Sequence, residues 1–318
     1  MTGEPTITDI RAAAVRIRPW AHRTPVLTCA GLDAMVGARL FFKCENFQKV
    51  GAFKFRGATN AVFALSDTEA ARGVATHSSG NHAAALSLAA RLRGIPAHVV
   101  MPRTSKAVKR AAVAGYGGRI VLCEPTLAAR EATLESVVAA TGAAVVHPYN
   151  DPMVIAGQGT AALELLDEVD GLDIVMTPVG GGGLLSGTAI TVTAVSPATR
   201  VVAAEPAAAD DAFRSLKEGR LVPSVNPTTI ADGLLTSLGT LTFAIIRHNV
   251  SEIVTVSEDA IAAAMRHVWE RMKIVIEPSS AVPVGALLEG ALRAPGARIG
   301  VILTGGNVDL DRLPWARP

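Results

Sequence analysis

Short apolar runs recur along the chain, flanked by glycine or proline, with stretches of helical spacing between them. Leu40-Phe41-Phe42, Val74-Ala75-Thr76, His98-Val99-Val100-Met101, Arg119-Ile120-Val121-Leu122, Ile174-Val175-Met176, Val201-Val202-Ala203-Ala204 and Ile299-Gly300-Val301-Ile302-Leu303 read as strands. Their shortness and β-branched content favour strand over buried helix. Asn81 to Arg93, Thr104 to Ala114, Leu127 to Ala140, Ile155 to Glu168 and Ser257 to Lys273 read as helices, the first starting on a capping residue and stopped by Gly94. Strands that alternate with helices pair in parallel, with the helices as crossovers over the sheet faces. The expected class is therefore α/β, with open, twisted, mostly parallel sheets. Ligands in such sheets sit beyond the carboxyl ends of the strands. Three glycine-containing loops fall there: Gly51-Ala52-Phe53-Lys54-Phe55-Arg56-Gly57-Ala58, Ser78-Ser79-Gly80-Asn81-His82 and Gly180-Gly181-Gly182-Gly183.

Size and charge narrow the function. With 318 residues, 49% of them hydrophobic, the chain can bury a large core and build two units. The units from Val74 to His147 read as a compact four-strand insertion. Residues 73–150 are then expected to form a small mobile domain, and residues 1–72 with 151–318 a larger, discontinuous one. The net charge of +2 gives no reason to expect nucleic acid or an anionic membrane as partner, and the basic stretch Arg103 to Arg110 reads as a solvated helix face. Cys29, Cys44 and Cys123 form no CxxC pair and suit a reducing cytoplasm. No apolar run is long enough to span a bilayer, and the polar start Met1-Thr2-Gly3-Glu4-Pro5 does not read as a leader.

The loops themselves suggest chemistry. A lysine among apolar and small neighbours, as Lys54 is, can have its ammonium pKa lowered until the free amine attacks a carbonyl. Lys43 and Lys49, close by, read as surface lysines. A run of glycines between the strand ending at Val179 and the helix-like Leu184-Leu185-Ser186 bares backbone N–H groups to an anion at a helix start. Amine and anion cradle together suit an aldehyde cofactor that carries a phosphate, pyridoxal 5'-phosphate.

On these motifs, in order from Arg23-Thr24-Pro25-Val26 to Gly305-Gly306-Asn307-Val308, the chain resembles the fold-type II pyridoxal phosphate enzymes (tryptophan synthase β-like), and within them the serine racemase and threonine/serine dehydratase branch. The resemblance implies that Lys54 is the Schiff-base lysine and general base, with Phe53 beside it against the cofactor. It implies that Gly180, Gly181, Gly182 and Gly183 hold the phosphate, and that Asn81 contacts the ring hydroxyl, a role compatible with an N-cap. Ser79 would stand on the ring face opposite Lys54. Thr304 would face the pyridine nitrogen, where a hydroxyl makes a weaker electron sink than a carboxylate and so suits β-elimination. Ser78, Ser79, Gly80, Asn81 and His82 would line the substrate, although Ala83-Ala84 stands where relatives often carry glycine or glutamine. Arg130 would approach the mouth, where it could meet a second substrate carboxylate. Glu205, Asp211 and the Ala209 carbonyl resemble a site for Mg²⁺ or Ca²⁺. Glu277, in Glu277-Pro278-Ser279-Ser280, falls in a family phrase without an assigned step.

The activity implied is a cytoplasmic, homodimeric ammonia-lyase that converts a 3-hydroxy-L-amino acid, threonine or serine, to a 2-keto acid and ammonia. Alternatives are a serine racemase with side dehydratase activity, a 3-hydroxyaspartate dehydratase, and a non-catalytic carrier or sensor of the cofactor.

Overall fold

The computed structural model describes residues 3–78, 80–105 and 107–315, with the backbone alone for Val108 and Leu127. The strands, in chain order, are β1 (Val26–Leu27), β2 (Arg39–Cys44), β3 (Val74–His77), β4 (Ala97–Pro102), β5 (Arg119–Cys123), β6 (Ala144–Val145), β7 (Ile174–Pro178), β8 (Arg200–Pro206), β9 (Glu252–Val256) and β10 (Arg298–Leu303). They form two sheets: a six-stranded one ordered β1-β2-β10-β7-β8-β9 and a four-stranded one ordered β5-β4-β3-β6. Every pairing is parallel except β1 with β2. The class is α/β, as the alternation required. The strands of the smaller sheet all lie between Val74 and Val145.

Burial explains which strands were legible. β7 is buried throughout and β10 nearly so, because helices cover both faces of a parallel sheet, and their sequences run apolar without a break. β9 is an edge strand with an alternating, half-buried pattern, while β1 and β6 hold two residues each. β6 lies in the short apolar run Ala143-Ala144-Val145-Val146 and supplies the fourth strand of the insertion, while β1 and β9 were not singled out from the sequence.

The Asn81–Arg93 helix has the expected bounds. Helices missed from the sequence include Ile7–Ile17, Lys54–Ala64, Gly183–Val195 beyond its first turns, and Pro278–Leu288, which carries a proline inside. The Lys54–Ala64 helix contains Gly57, which would ordinarily weaken it. Packing supplies the reason: a Cβ on Gly57 would lie 2.7 Å from Val154 O, and one on Gly157 would lie 2.6 Å from the Gly57 Cα. The Lys54–Ala64 and Pro152–Glu168 helices therefore touch backbone to backbone. This contact fixes the helix that begins at Lys54.

Candidate active site

Lys54 follows β2 through two short 3₁₀ turns, Glu45–Phe47 and Lys49–Gly51. Val50 and Gly51 both take positive φ, 58° and 66°, reversing the chain. Ala52 then pairs with Gly305, and Phe53 N donates to Thr304 O at 3.0 Å, so the lysine is stitched to the end of β10. The partly buried Lys54 Nζ donates to Pro148 O at 2.8 Å and stands 5.1 Å from the centroid of the Phe53 ring. Burial lowers its pKa to about 8, against the pull of the Glu277 carboxylate. At neutral pH a usable fraction of the amine is then free to attack a carbonyl.

Behind Lys54 the helix is anchored by charge. Arg56, fully buried, donates to Glu45 through Nε and Nη2 at 2.7 and 2.8 Å and to Glu164 through Nη1 and Nη2 at 2.7 and 2.8 Å. Lys43 corrects the expectation of a surface lysine. It is buried in β2, with Nζ 2.6 Å from Thr24 O and 2.7 Å from Glu164 Oε2. Two cations and two carboxylates share this pocket, so the burial of each charge is offset by a partner.

The glycine loop follows β7 and opens the Gly183–Val195 helix. The N–H groups of Gly180, Gly181, Gly182, Gly183 and Leu184 have no acceptor among the described residues, while the Gly181 carbonyl is occupied by Thr242 Oγ1 at 2.8 Å. Free N–H donors at a helix start are the kind of group that can receive an anion such as a phosphate. Neighbours also demand these glycines. Gly182 has φ +88°, and a Cβ on Gly181 would lie 2.3 Å from the Tyr149 ring.

Asn81 corrects the capping expectation. Gly80 holds the N-cap position without a side-chain cap, and the Asn81 side chain is used elsewhere. Its Nδ2 donates to Glu277 Oε1 at 2.9 Å and Oε2 at 3.2 Å, and its Oδ1 accepts from Asn307 Nδ2 at 2.9 Å. Asn307 Nδ2 also donates to Val50 O at 2.7 Å, closing a network from the smaller sheet's first helix to the Lys54 segment. Burial, with the charge of Asp232, raises the buried Glu277 carboxyl to about 7, while the Asn81 amide draws it back. Thr304 is 3% exposed at the end of β10. Ser78 Oγ accepts from Gly80 N at 3.4 Å. Ser79, expected on the opposite ring face, lies outside the described residues.

His82 is buried with Nε2 3.2 Å from Val146 O, and burial lowers its pKa to about 3. His147 is held neutral in the same way, lowered to about 4 by burial and by His77 and Lys54. Arg130 is partly buried on the Leu127–Thr141 helix. Its one side-chain contact among the described residues is to Thr126 O, 3.4 Å from Nε, on its own helix start. Tyr149 and the Pro148 carbonyl were missed from the sequence, because they follow β6 in a turn whose contacts are to distant segments, Lys54 and the glycine loop.

At the end of β8, Glu205 accepts from Ala212 N at 2.9 Å and Phe213 N at 2.8 Å, so it also caps the Asp211–Glu218 helix. Burial raises its carboxyl to about 9, with Asp211 adding repulsion. Asp211 is buried and raised to about 6 by burial, with Ser224 and the Leu238 N–H drawing it back, and its oxygens lie beyond close hydrogen-bond reach among the described residues. The Ala209 carbonyl likewise accepts no hydrogen bond there. No group of three or more His, Cys, Asp or Glu among the described residues is arranged for a metal. The hard oxygens present would need water to complete a cation's shell.

A model of the family described as "Pyridoxal-phosphate dependent enzyme" matches residues 17–305. The beta-hydroxyaspartate dehydratase of Paracoccus denitrificans (strain Pd 1222) is 57% identical over 311 residues, covering 98% of this chain and 99% of that one. Among solved structures, the serine racemase of Dictyostelium discoideum is 49% identical with TM-score 0.92, covering 96% of this chain and 99% of the other. A threonine deaminase from T.th. is 45% identical with TM-score 0.92 over the same shares of each chain.

Proposed function

From the premise that this chain belongs to the family of pyridoxal-phosphate dependent enzymes, we propose that it is an ammonia-lyase that dehydrates a 3-hydroxy-amino acid, with 3-hydroxyaspartate ahead of serine and threonine. The observation that carries this reading is the setting of Lys54: its amine, lowered to about 8, bonds to Pro148, and the residue after Pro148 packs on the glycine cradle. The 57% identity to a beta-hydroxyaspartate dehydratase supports the dicarboxylic substrate, whose second carboxylate Arg130 would meet.

When bound, pyridoxal phosphate supplies an aldehyde for the substrate amine and a conjugated ring that draws electrons from Cα. Lys54 would hold the aldehyde, and its amine, once free, would take the α-proton. The N–H groups from Gly180 to Gly183 would hold the phosphate, Phe53 would lie beside the ring, and Asn81 would orient it from the Glu277–Asn307 network. Thr304, a hydroxyl where a carboxylate would stabilise a charged ring nitrogen, disfavours stored carbanion character and so favours loss of the β-hydroxyl. Ser78, Gly80 and His82 belong to the substrate-facing loop in the same reading. Loss of water and then hydrolytic loss of ammonia convert 3-hydroxyaspartate to oxaloacetate, serine to pyruvate and threonine to 2-oxobutanoate.

The proposal includes a divalent cation, Mg²⁺ or Ca²⁺, at Glu205, Asp211 and the Ala209 carbonyl, remote from the chemistry. It also includes a homodimer in the cytoplasm. The three free cysteines support a reducing compartment, and no described helix is long and apolar enough to cross a membrane. Residues 73–150 would close as a small domain over the rest, with the Lys109–Asp232 ion pair at 2.7 Å as one tie across the cleft.

The 49% identity to a serine racemase supports a second reading, in which Ser79 returns a proton to the other face of Cα. A keto-acid assay on cofactor-loaded protein with the 3-hydroxyaspartates, L-serine, L-threonine and D-serine, plus chiral analysis of the remaining substrate, separates the two. Keto acid that disappears in Lys54→Ala is the expected result. Enantiomer formed without keto acid would replace the lyase by the racemase.

A further inference from the structure

Tyr149 stands between the two halves of the site. The carbonyl of its predecessor, Pro148, takes the Lys54 ammonium at 2.8 Å. The tyrosine ring lies against the Gly181 peptide, and the Tyr149 Cα and Cβ lie 3.0 Å from where a Cβ of Gly183 would be. His147 meets the ring edge-on, with centroids 4.6 Å apart and planes at 90°, which fixes its orientation. Neighbouring polar groups in this turn are committed. His147 Nδ1 accepts from Asn150 N at 2.9 Å, and Asn150 Oδ1 accepts from Leu241 N at 2.9 Å. The phenol is uncommitted: its hydroxyl makes no hydrogen bond to a described residue and is not among the sealed hydroxyls, such as those of Thr59 and Ser280.

Arg130 comes from a different element, the Leu127–Thr141 helix over the smaller sheet; the charges that act on the phenol are first Asp211, then Arg130 and Glu131. Beyond a 3.4 Å contact from Nε to Thr126 O, its guanidinium has no partner among the described residues. The Tyr149 hydroxyl therefore stands as an uncommitted neutral donor on the turn that holds Lys54 and packs on the glycine loop, and Arg130 as an uncommitted charged one on the Leu127–Thr141 helix.

We propose that the Tyr149 hydroxyl and Arg130 together receive the side-chain carboxylate of a dicarboxylic 3-hydroxy-amino acid, which makes Tyr149 a specificity-determining residue. This rests on the dehydratase reading above. A carboxylate has lone pairs enough for both donors, whereas serine or threonine would leave both facing hydrogen or methyl. A site whose polar groups are left unpaired rejects the smaller analogue. Burial also raises the phenol's pKa above its ordinary value, so it remains an O–H donor across the working pH range.

Tyr149→Phe tests this, because the ring and its packing on Gly181 are kept. Two quantities are measured on the cofactor-loaded protein: the ratio of kcat/KM for 3-hydroxyaspartate to that for L-serine, and the dissociation constant of malonate, a non-reacting dicarboxylate. The ratio is expected to fall about 10- to 100-fold, the worth of one hydrogen bond to a charged group, and malonate to weaken by a similar factor. A ratio and a malonate affinity that both stay within about threefold of wild type, on that same hydrogen-bond scale, would overturn the assignment. Wild type that turns over serine but not 3-hydroxyaspartate would instead defeat the substrate reading. Malonate alone then decides: loss of binding in Tyr149→Phe keeps the phenol as a carboxylate donor, while equal binding, or none to wild type, removes it.

Discussion

Replacing Arg56 with methionine removes one guanidinium and leaves two carboxylates where it stood. Arg56 and Glu45 are fully buried, and the Glu164 side chain is 18% exposed. Glu164 keeps Lys43 at 2.7 Å, but Glu45 is left with only the Thr24 hydroxyl at 2.5 Å. Stranding a buried charge by removing its partner costs about 3–5 kcal/mol. Because Lys43 still serves Glu164, the lower end of that range is expected, with the cost falling mainly on Glu45. Adding Glu45→Gln removes the stranded charge, so the double variant should be less unstable than the sum of the two singles by about 1–3 kcal/mol, a coupling expected of residues in direct contact. The deficit should also depend on pH. Burial opposes ionisation of Glu164, yet Arg56 and Lys43 hold its carboxyl below its usual range. A depressed carboxyl contributes stability above its unfolded pKa, about 4.3, and that contribution is lost as pH falls through the folded value. Removing Arg56 forfeits part of this contribution, so the gap between variant and wild type should be widest above about pH 5 and narrow on acidification. Urea denaturation of the cofactor-free single and double variants at pH 8 and in acid measures all three quantities. A cost below about 1 kcal/mol, or one unchanged by Glu45→Gln, would refute the claim that this pocket anchors the Lys54 helix through paired charge.

Three further outcomes are expected. The rate at which cofactor-free protein captures pyridoxal phosphate should rise about tenfold per pH unit below about 8 and level off above it, because only the neutral Lys54 amine attacks; a rate flat from pH 6 to 9 in stopped-flow absorbance would contradict the lowered pKa. Gly181→Ala should collide with the Tyr149 ring and weaken cofactor binding, and Tyr149→Ala should restore part of it; an unrelieved loss would show that the loop's own contact with phosphate, not the tyrosine, demands glycine there. Mg²⁺ should raise the thermal midpoint of wild type and not that of Asp211→Asn, since the cation would neutralise two buried carboxylates whose ionisation burial opposes; an equal shift in both proteins removes the cation from this site.

Much of the architecture was already present in local patterns. Strands buried on both faces announce themselves as unbroken apolar runs, as at Ile174–Pro178 and Arg298–Leu303, and a helix ended by a left-handed glycine, as at Asn81–Arg93, shows its boundary. The alternation of the two determined an α/β sheet protein, and the glycine run after an apolar strand marked the anion cradle. These are short-range consequences of backbone geometry and solvent exclusion. Contacts between distant segments decided the rest. Lys43 is buried because Glu164, more than a hundred positions on, supplies its counter-charge. Asn81 turns from a cap to a bridge because folding brings Glu277 and Asn307 to the end of its helix. Lys54 becomes a weaker base only when the folded core closes around it and takes its ammonium out of water. Tyr149 acquires its place from the glycine loop it leans on. Burial and charge pairing depend on what surrounds a group in three dimensions, and neighbours along the chain carry no record of that.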